Sequence, residues 1–147
     1  MKFISFNHDN SEKFGIIENN LITDLTGKID GALSLKELIK IKKIKDAKEY
    51  AKSNPGSIKP DEIKYSPLIP NPGKIICVGL NYSEHVKETN RTVEENPVIF
   101  HRFPESQTAH MQAIQRPTVS ESLDFEGEMA VVTVSYTHLT LPTKWIV

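Results

Sequence analysis

The 147-residue chain holds one cysteine, Cys77, and no long apolar run. A single thiol cannot close an internal disulfide, which excludes a disulfide-stapled scaffold and points to a reducing, cytoplasmic setting. Cys77 lies within Ile75-Ile76-Cys77-Val78, where buried packing is the expected role rather than nucleophilic attack. No stretch reaches the length of a membrane span, and the opening Met1-Lys2-Phe3-Ile4-Ser5-Phe6 lacks the apolar core of a signal peptide. Net charge is nearly absent as well. With 18 Lys and Arg against 19 Asp and Glu the balance is -1, so no global field suggests nucleic acid or an anionic membrane as a partner. Lysines crowd the region from Lys36 to Lys52, but acids lie among them and aromatics are not interleaved, so they read as a solvated helix face. No internal repeat is visible. What is present, 38% hydrophobic and 25% charged residues, suits a soluble globular fold of one domain or two small ones.

The first stretch reads as a β-meander: strands at Lys2 to Phe6, Phe14 to Glu18 and Leu21 to Leu25. His8-Asp9-Asn10-Ser11 supplies the first turn, with His8 expected to be solvated, and Asn19-Asn20 suits a tight hairpin because Asn tolerates positive φ. Ser34-Leu35-Lys36-Glu37 is a capping box that opens a helix. Leu35, Leu38 and Ile39, then Ile44, Ala47 and Ala51, form its apolar stripe, with a break near Ile41 to Lys43 and a stop at Asn54-Pro55-Gly56. A passage through Pro60, Pro67, Pro70 and Pro72 reads as an extended linker. Beyond it, Lys74 to Val78 and Val98 to Phe100 look like strands, the first a buried one. The expectation is an α/β (α+β) fold, with a small cap over residues 1–68 and a predominantly β unit over 69–132.

Two patterns carry chemistry. In Asp124-Phe125-Glu126-Gly127-Glu128-Met129-Ala130-Val131-Val132 three carboxylates alternate along a predicted strand and share one face. A hard divalent cation would relieve their repulsion; an edge strand with its acids in water is the equal alternative. Upstream, Gly79-Leu80-Asn81-Tyr82-Ser83-Glu84-His85-Val86-Lys87-Glu88 follows a strand, with Gly79 expected to let the chain turn and Ser83 to cap a short helix. His85 and Glu88 stand three apart and share a helix face, where a carboxylate prepares an imidazole to take a proton near neutral pH. Most such pairs are surface contacts, so the spacing alone decides nothing.

Three blocks together strongly resemble the fumarylacetoacetate hydrolase family: Pro70 to Tyr82 with His85 and Glu88, Pro97-Val98-Ile99-Phe100-His101-Arg102-Phe103-Pro104, and Asp124 to Val132. The resemblance covers about residues 1–132, the opening stretch less specifically. It implies that Glu126 and Glu128 bind magnesium or manganese (with calcium a further candidate) and that the family's third metal carboxylate lies on a later strand. It implies that His85 and Glu88 activate water or shuttle protons from a short lid helix, and that Asn81, Tyr82 and Arg102 contact substrate. Arg102 lies near a position where many members carry a lysine, and His101 and His110 are expected to be structural or solvent-facing. Asp124 is read as a neighbour of the metal site rather than a ligand. The implied reaction is hydrolysis of a carbon–carbon bond in a 2,4-diketo acid of fumarylacetoacetate or acylpyruvate type. Isomerisation, hydration or decarboxylation of related keto acids is the runner-up, and a non-catalytic module binding calcium or a basic partner is the third reading. The family generally forms homodimers.

The resemblance stops near Val132. Ser135-Tyr136-Thr137-His138-Leu139-Thr140-Leu141-Pro142-Thr143 resembles translated adaptor sequence. Residues from about 133 onward are therefore expected to be foreign to a catalytic domain cut short, with no role for His138 or Trp145. Missing strands would leave sheet edges and core side chains exposed, so poor folding and little turnover are expected of the chain as written.

Overall fold

The computed structural model describes residues 1–88, 96–123 and 127–133, with only the backbone described at His85. Among the described residues two sheets and a few short helices give a mixed α/β architecture. Strands β1 (Lys2–His8), β2 (Ser11–Glu18) and β3 (Leu21–Asp24) form the expected antiparallel meander. Both hairpins turn in two residues, Asp9-Asn10 and Asn19-Asn20, all four at positive φ. That backbone matches the right-handed twist of the strands it joins, and Asn and Asp are the non-glycine residues that adopt it most readily. His8 ends β1 rather than entering the turn. It is half-buried, with Nδ1 at 3.2 Å from Asp9 Oδ2, which corrects the solvated reading.

Alternation puts Phe3 and Ser5 of β1 with Phe14 and Ile16 of β2 on one face. Helices α1 (Leu35–Lys40) and α2 (Ile44–Ser53) cover that face, and Leu25, Leu35, Leu38, Ala47 and Ala51 complete its core. Ser34 Oγ accepts the Glu37 N–H at 3.2 Å, while the Glu37 carboxylate reaches the Leu33 N–H, one residue beyond the donor a capping box predicts. The break between helices falls where the apolar stripe lapses. Lys42 takes φ 61° and its N–H donates to Ile39, while the Lys43 N–H donates to Leu38, the paired closure that usually ends on glycine. The lysine-rich face is exposed, with Lys43 bridging Asp30 and Asp46. The opposite sheet face buries Phe6 and Ile22. There Gly15 is required, since a Cβ would collide with the Thr23 carbonyl of β3.

The proline-rich passage is not a free linker. Ile58 bridges Ile22, Pro60–Glu62 forms a 3-10 turn, and β4 (Lys64–Ser66) pairs with β1 to give the order β3-β2-β1-β4. Short edge strands tolerate flanking proline because one side needs no donor, and Pro67 follows directly. Leu68 and Ile69 then pack against the first core, and Ser5 Oγ donates to the Leu68 carbonyl. The second sheet is an antiparallel pair, β5 (Ile75–Gly79) and β6 (Val98–Arg102). The expectation that β5 is buried fails: Ile76 is 63% exposed and Ile99 62%, and Cys77 is half-buried. A two-stranded ladder has too little neighbouring structure to cover both of its faces.

Candidate functional site

Of the site residues named from sequence, Asn81, Tyr82, His85, Glu88 and Arg102 lie on β6 or between β5 and β6. Gly79 lies within β5 opposite Val98, and the left-handed residue is Leu80 at φ 55°. A glycine was expected to make this turn, yet a leucine holds the strained backbone, a feature that concentrates at functional segments. Asn81 and Tyr82 follow, both exposed, and α3 (Ser83–Glu88) begins at the serine. The Val86 N–H donates to the Tyr82 carbonyl at 3.1 Å. Val86 is buried and anchors the helix, while Glu84 and Lys87 pair at 3.9 Å on its solvent side. Glu88 is exposed on the last residue of α3, three positions after His85.

Arg102 stands at the far end of the same ladder, opposite Ile75, where Gly79 faces Val98. Four residue steps at about 3.4 Å each put its backbone roughly 14 Å from the Gly79–Val98 end of the ladder. Its Nε donates to Ser106 Oγ at 3.3 Å. His101 and His110 are both exposed and each makes one ring contact. His101 meets Phe103 edge-to-face at 5.6 Å, and His110 meets Tyr65 of the first sheet at 5.0 Å. The segment after β6 is tied to the first unit by Gln107 Nε2 on the Ile69 carbonyl and Gln112 Nε2 on the Tyr65 carbonyl. Ser106, Gln107 and Gln112 were not singled out from sequence. The only signal for Ser106 was a serine four residues after an arginine across a proline-led turn.

The acidic segment departs from expectation. Asp124 and Glu126 lie outside the described residues, and Glu128 is exposed. Gly127 to Thr133 forms no strand beyond a single bridge position at Val131, because a strand exists only through a paired neighbour. Among the described residues no three of His, Cys, Asp and Glu gather to hold a metal ion. Carboxylate oxygens suit a hard cation such as magnesium by their chemistry. Glu128 supplies one such group, which by itself is not a metal centre. Among the described residues no helix is long and apolar enough to cross a membrane.

Residues 74–138 match the family model described as fumarylacetoacetate (FAA) hydrolase C-terminal, a stretch that runs past Val132 and takes in every residue just described from β5 onward. Over 71 residues, 48% of this chain and 23% of the relative, it is 41% identical to the mitochondrial oxaloacetate tautomerase Fahd2a of Rattus norvegicus. Over 89 residues, 60% of this chain and 28% of the relative, it is 36% identical to the mitochondrial oxaloacetate tautomerase fahd2 of Xenopus laevis. The matched stretches thus span about a quarter of those relatives' length. A crystal structure described as an HpcE protein from Mycobacterium smegmatis shares the fold, with a TM-score of 0.59 at 21% identity over 78% of this chain and 40% of that one. Over residues 74–138 the chain is thus similar to the fumarylacetoacetate hydrolase family.

Proposed function

We propose that this chain supplies part of a divalent-metal-dependent enzyme that handles the enol or enolate of a 2-oxo acid. The observation that carries the reading is the family match over 74–138, which contains His85, Glu88, Arg102, Glu126 and Glu128 together. Relatives named oxaloacetate tautomerases favour moving a proton between the enol oxygen and the carbon next to the carbonyl of a short oxo-dicarboxylate. Hydrolysis of a carbon–carbon bond in a 2,4-diketo acid is the second reading, favoured by the same motif residues, since both reactions pass charge onto a carbonyl oxygen.

His85 is the proton carrier, with Glu88 on the same turn of α3 raising its basicity. In the tautomerase reading it takes the enol proton and returns one to carbon. In the hydrolase reading it deprotonates the water that adds to the distal carbonyl. Arg102 anchors a substrate carboxylate through a forked contact, a geometry lysine does not offer. Glu126 and Glu128 would hold magnesium or manganese, which when bound withdraws electron density from substrate oxygens. Asn81 and Tyr82 offer an amide and a phenol at the mouth of α3. Arg102 and α3 serve one substrate only if α3 lies back along the ladder. Homodimeric assembly belongs to the proposal and is read by sedimentation.

Ultraviolet decay of enolic oxaloacetate, set beside loss of an acylpyruvate chromophore, separates the two readings. The expected result is faster enol decay with magnesium or manganese, lost on His85→Ala while metal uptake persists. Decay at the buffer rate for both substrates contradicts the proposal.

A further inference from the structure

We propose that Ser106 is a positioning residue for Arg102, fixing the plane of the guanidinium before substrate arrives; this rests on the reading of Arg102 as the carboxylate anchor. Arg102 closes β6, Phe103 continues extended, and Pro104–Ser106 forms a 3-10 turn that brings Ser106 back beside it. The Ser106 hydroxyl donates to the Phe103 carbonyl at 2.7 Å and accepts Arg102 Nε–H at 3.3 Å. A hydroxyl has one proton to give and two lone pairs, so it makes both bonds at once, and the first aims its lone pairs. Nε is the inner donor of the guanidinium. Holding it sets the ring-like plane, and the outer nitrogens form the edge that meets a carboxylate in a fork.

The turn itself does not depend on this hydroxyl. The Ser106 N–H already donates to the Phe103 carbonyl at 3.0 Å, and Pro104 sets the first residue of the turn. Gln107 adds its backbone N–H and its Nε2 to the Pro104 carbonyl, both at 3.2 Å, and ties the turn to Ile69, which packs against the first core. Ser106 is exposed, so its loss opens no cavity. Removing its oxygen therefore releases Arg102 from a turn that stays in place.

The test compares the wild-type chain with Ser106→Ala, Ser106→Thr and Arg102→Ala. Proton exchange at Arg102 Nε–H is followed by nitrogen-edited NMR, and pyruvate with magnesium is the titrated probe. Expected are faster Nε–H exchange and about threefold to tenfold weaker pyruvate binding in Ser106→Ala, with both restored in Ser106→Thr. Wild-type Nε–H exchange in Ser106→Ala overturns the inference, as does pyruvate binding weakened by Arg102→Ala but untouched by Ser106→Ala. Arg102→Ala that binds pyruvate like wild type overturns instead the reading of Arg102 on which the inference rests, even where Ser106→Ala still speeds exchange.

Discussion

Leu38→Ala is the sharpest perturbation of the first unit. Leu38 is fully buried, projecting from α1 onto the sheet face that carries Phe3, Phe14 and Ile16. Its neighbours are held by β-ladders on one side and by α2 on the other, so they cannot collapse far into the space left. Loss of the side chain then costs transfer free energy plus a cavity term, about 3 kcal/mol in a range of roughly 2 to 5. For a unit of this size each kcal/mol moves the midpoint by about 4–8 °C, so the melt should fall by roughly 12–24 °C. Leu33→Ala is the internal control, since Leu33 lies just before the cap of α1 and is 62% exposed. It should cost less than about 0.5 kcal/mol. Far-ultraviolet circular dichroism melts read both. Equal shifts for the two variants would refute the packing of α1 against the meander.

Three further predictions test other parts. Burial pushes the Asp24 carboxyl up, but hydrogen bonds from Thr26 and the Lys13 ammonium outweigh it and leave the group below its ordinary value of 3.8. A carboxyl depressed on folding adds stability that is complete above its unfolded value and disappears as pH falls through the folded one. The melting gap between wild type and Asp24→Asn should thus be full near pH 6 and close below 3.8; a gap independent of pH would contradict it. Lys42→Gly should raise stability by about 0.5–1 kcal/mol in urea unfolding, because glycine carries no Cβ penalty at φ 61°. Amide hydrogen exchange should be faster across β5 and β6 than across β1 and β2, since the second sheet is a two-stranded pair with its apolar residues in water. Equal protection in the two sheets would oppose that.

What could be read from sequence is what depends on near neighbours. Asn19-Asn20 specifies its turn locally, Ser34 caps α1 three residues away, and the stripe lapses at the residues where Lys42 turns left-handed. The capping glutamate accepts from Leu33 rather than Ser34, a choice between neighbouring donors that spacing cannot show. β4 was missed because three residues among prolines become a strand only by pairing with β1, some sixty residues earlier. An apolar run such as Ile75-Ile76-Cys77-Val78 announces a strand but not whether neighbours cover it. In the site, the i, i+3 spacing of His85 and Glu88 was visible in the letters. The place of Arg102 at the other end of the ladder came only from register, and its bond to Ser106 only from the turn that follows. The strand expected over Asp124 to Val132 rested on alternation and on the family resemblance, and over Gly127 to Thr133 only the bridge at Val131 is found.

Calorimetric titration of manganese into the chain, repeated with Glu126→Gln and Glu128→Gln, bears most directly on the claim that these two carboxylates form a cation site. The account predicts weak, saturable uptake near one ion per chain that either substitution removes while the circular dichroism spectrum is unchanged. No uptake by the wild-type chain, or uptake that survives both substitutions, would contradict it.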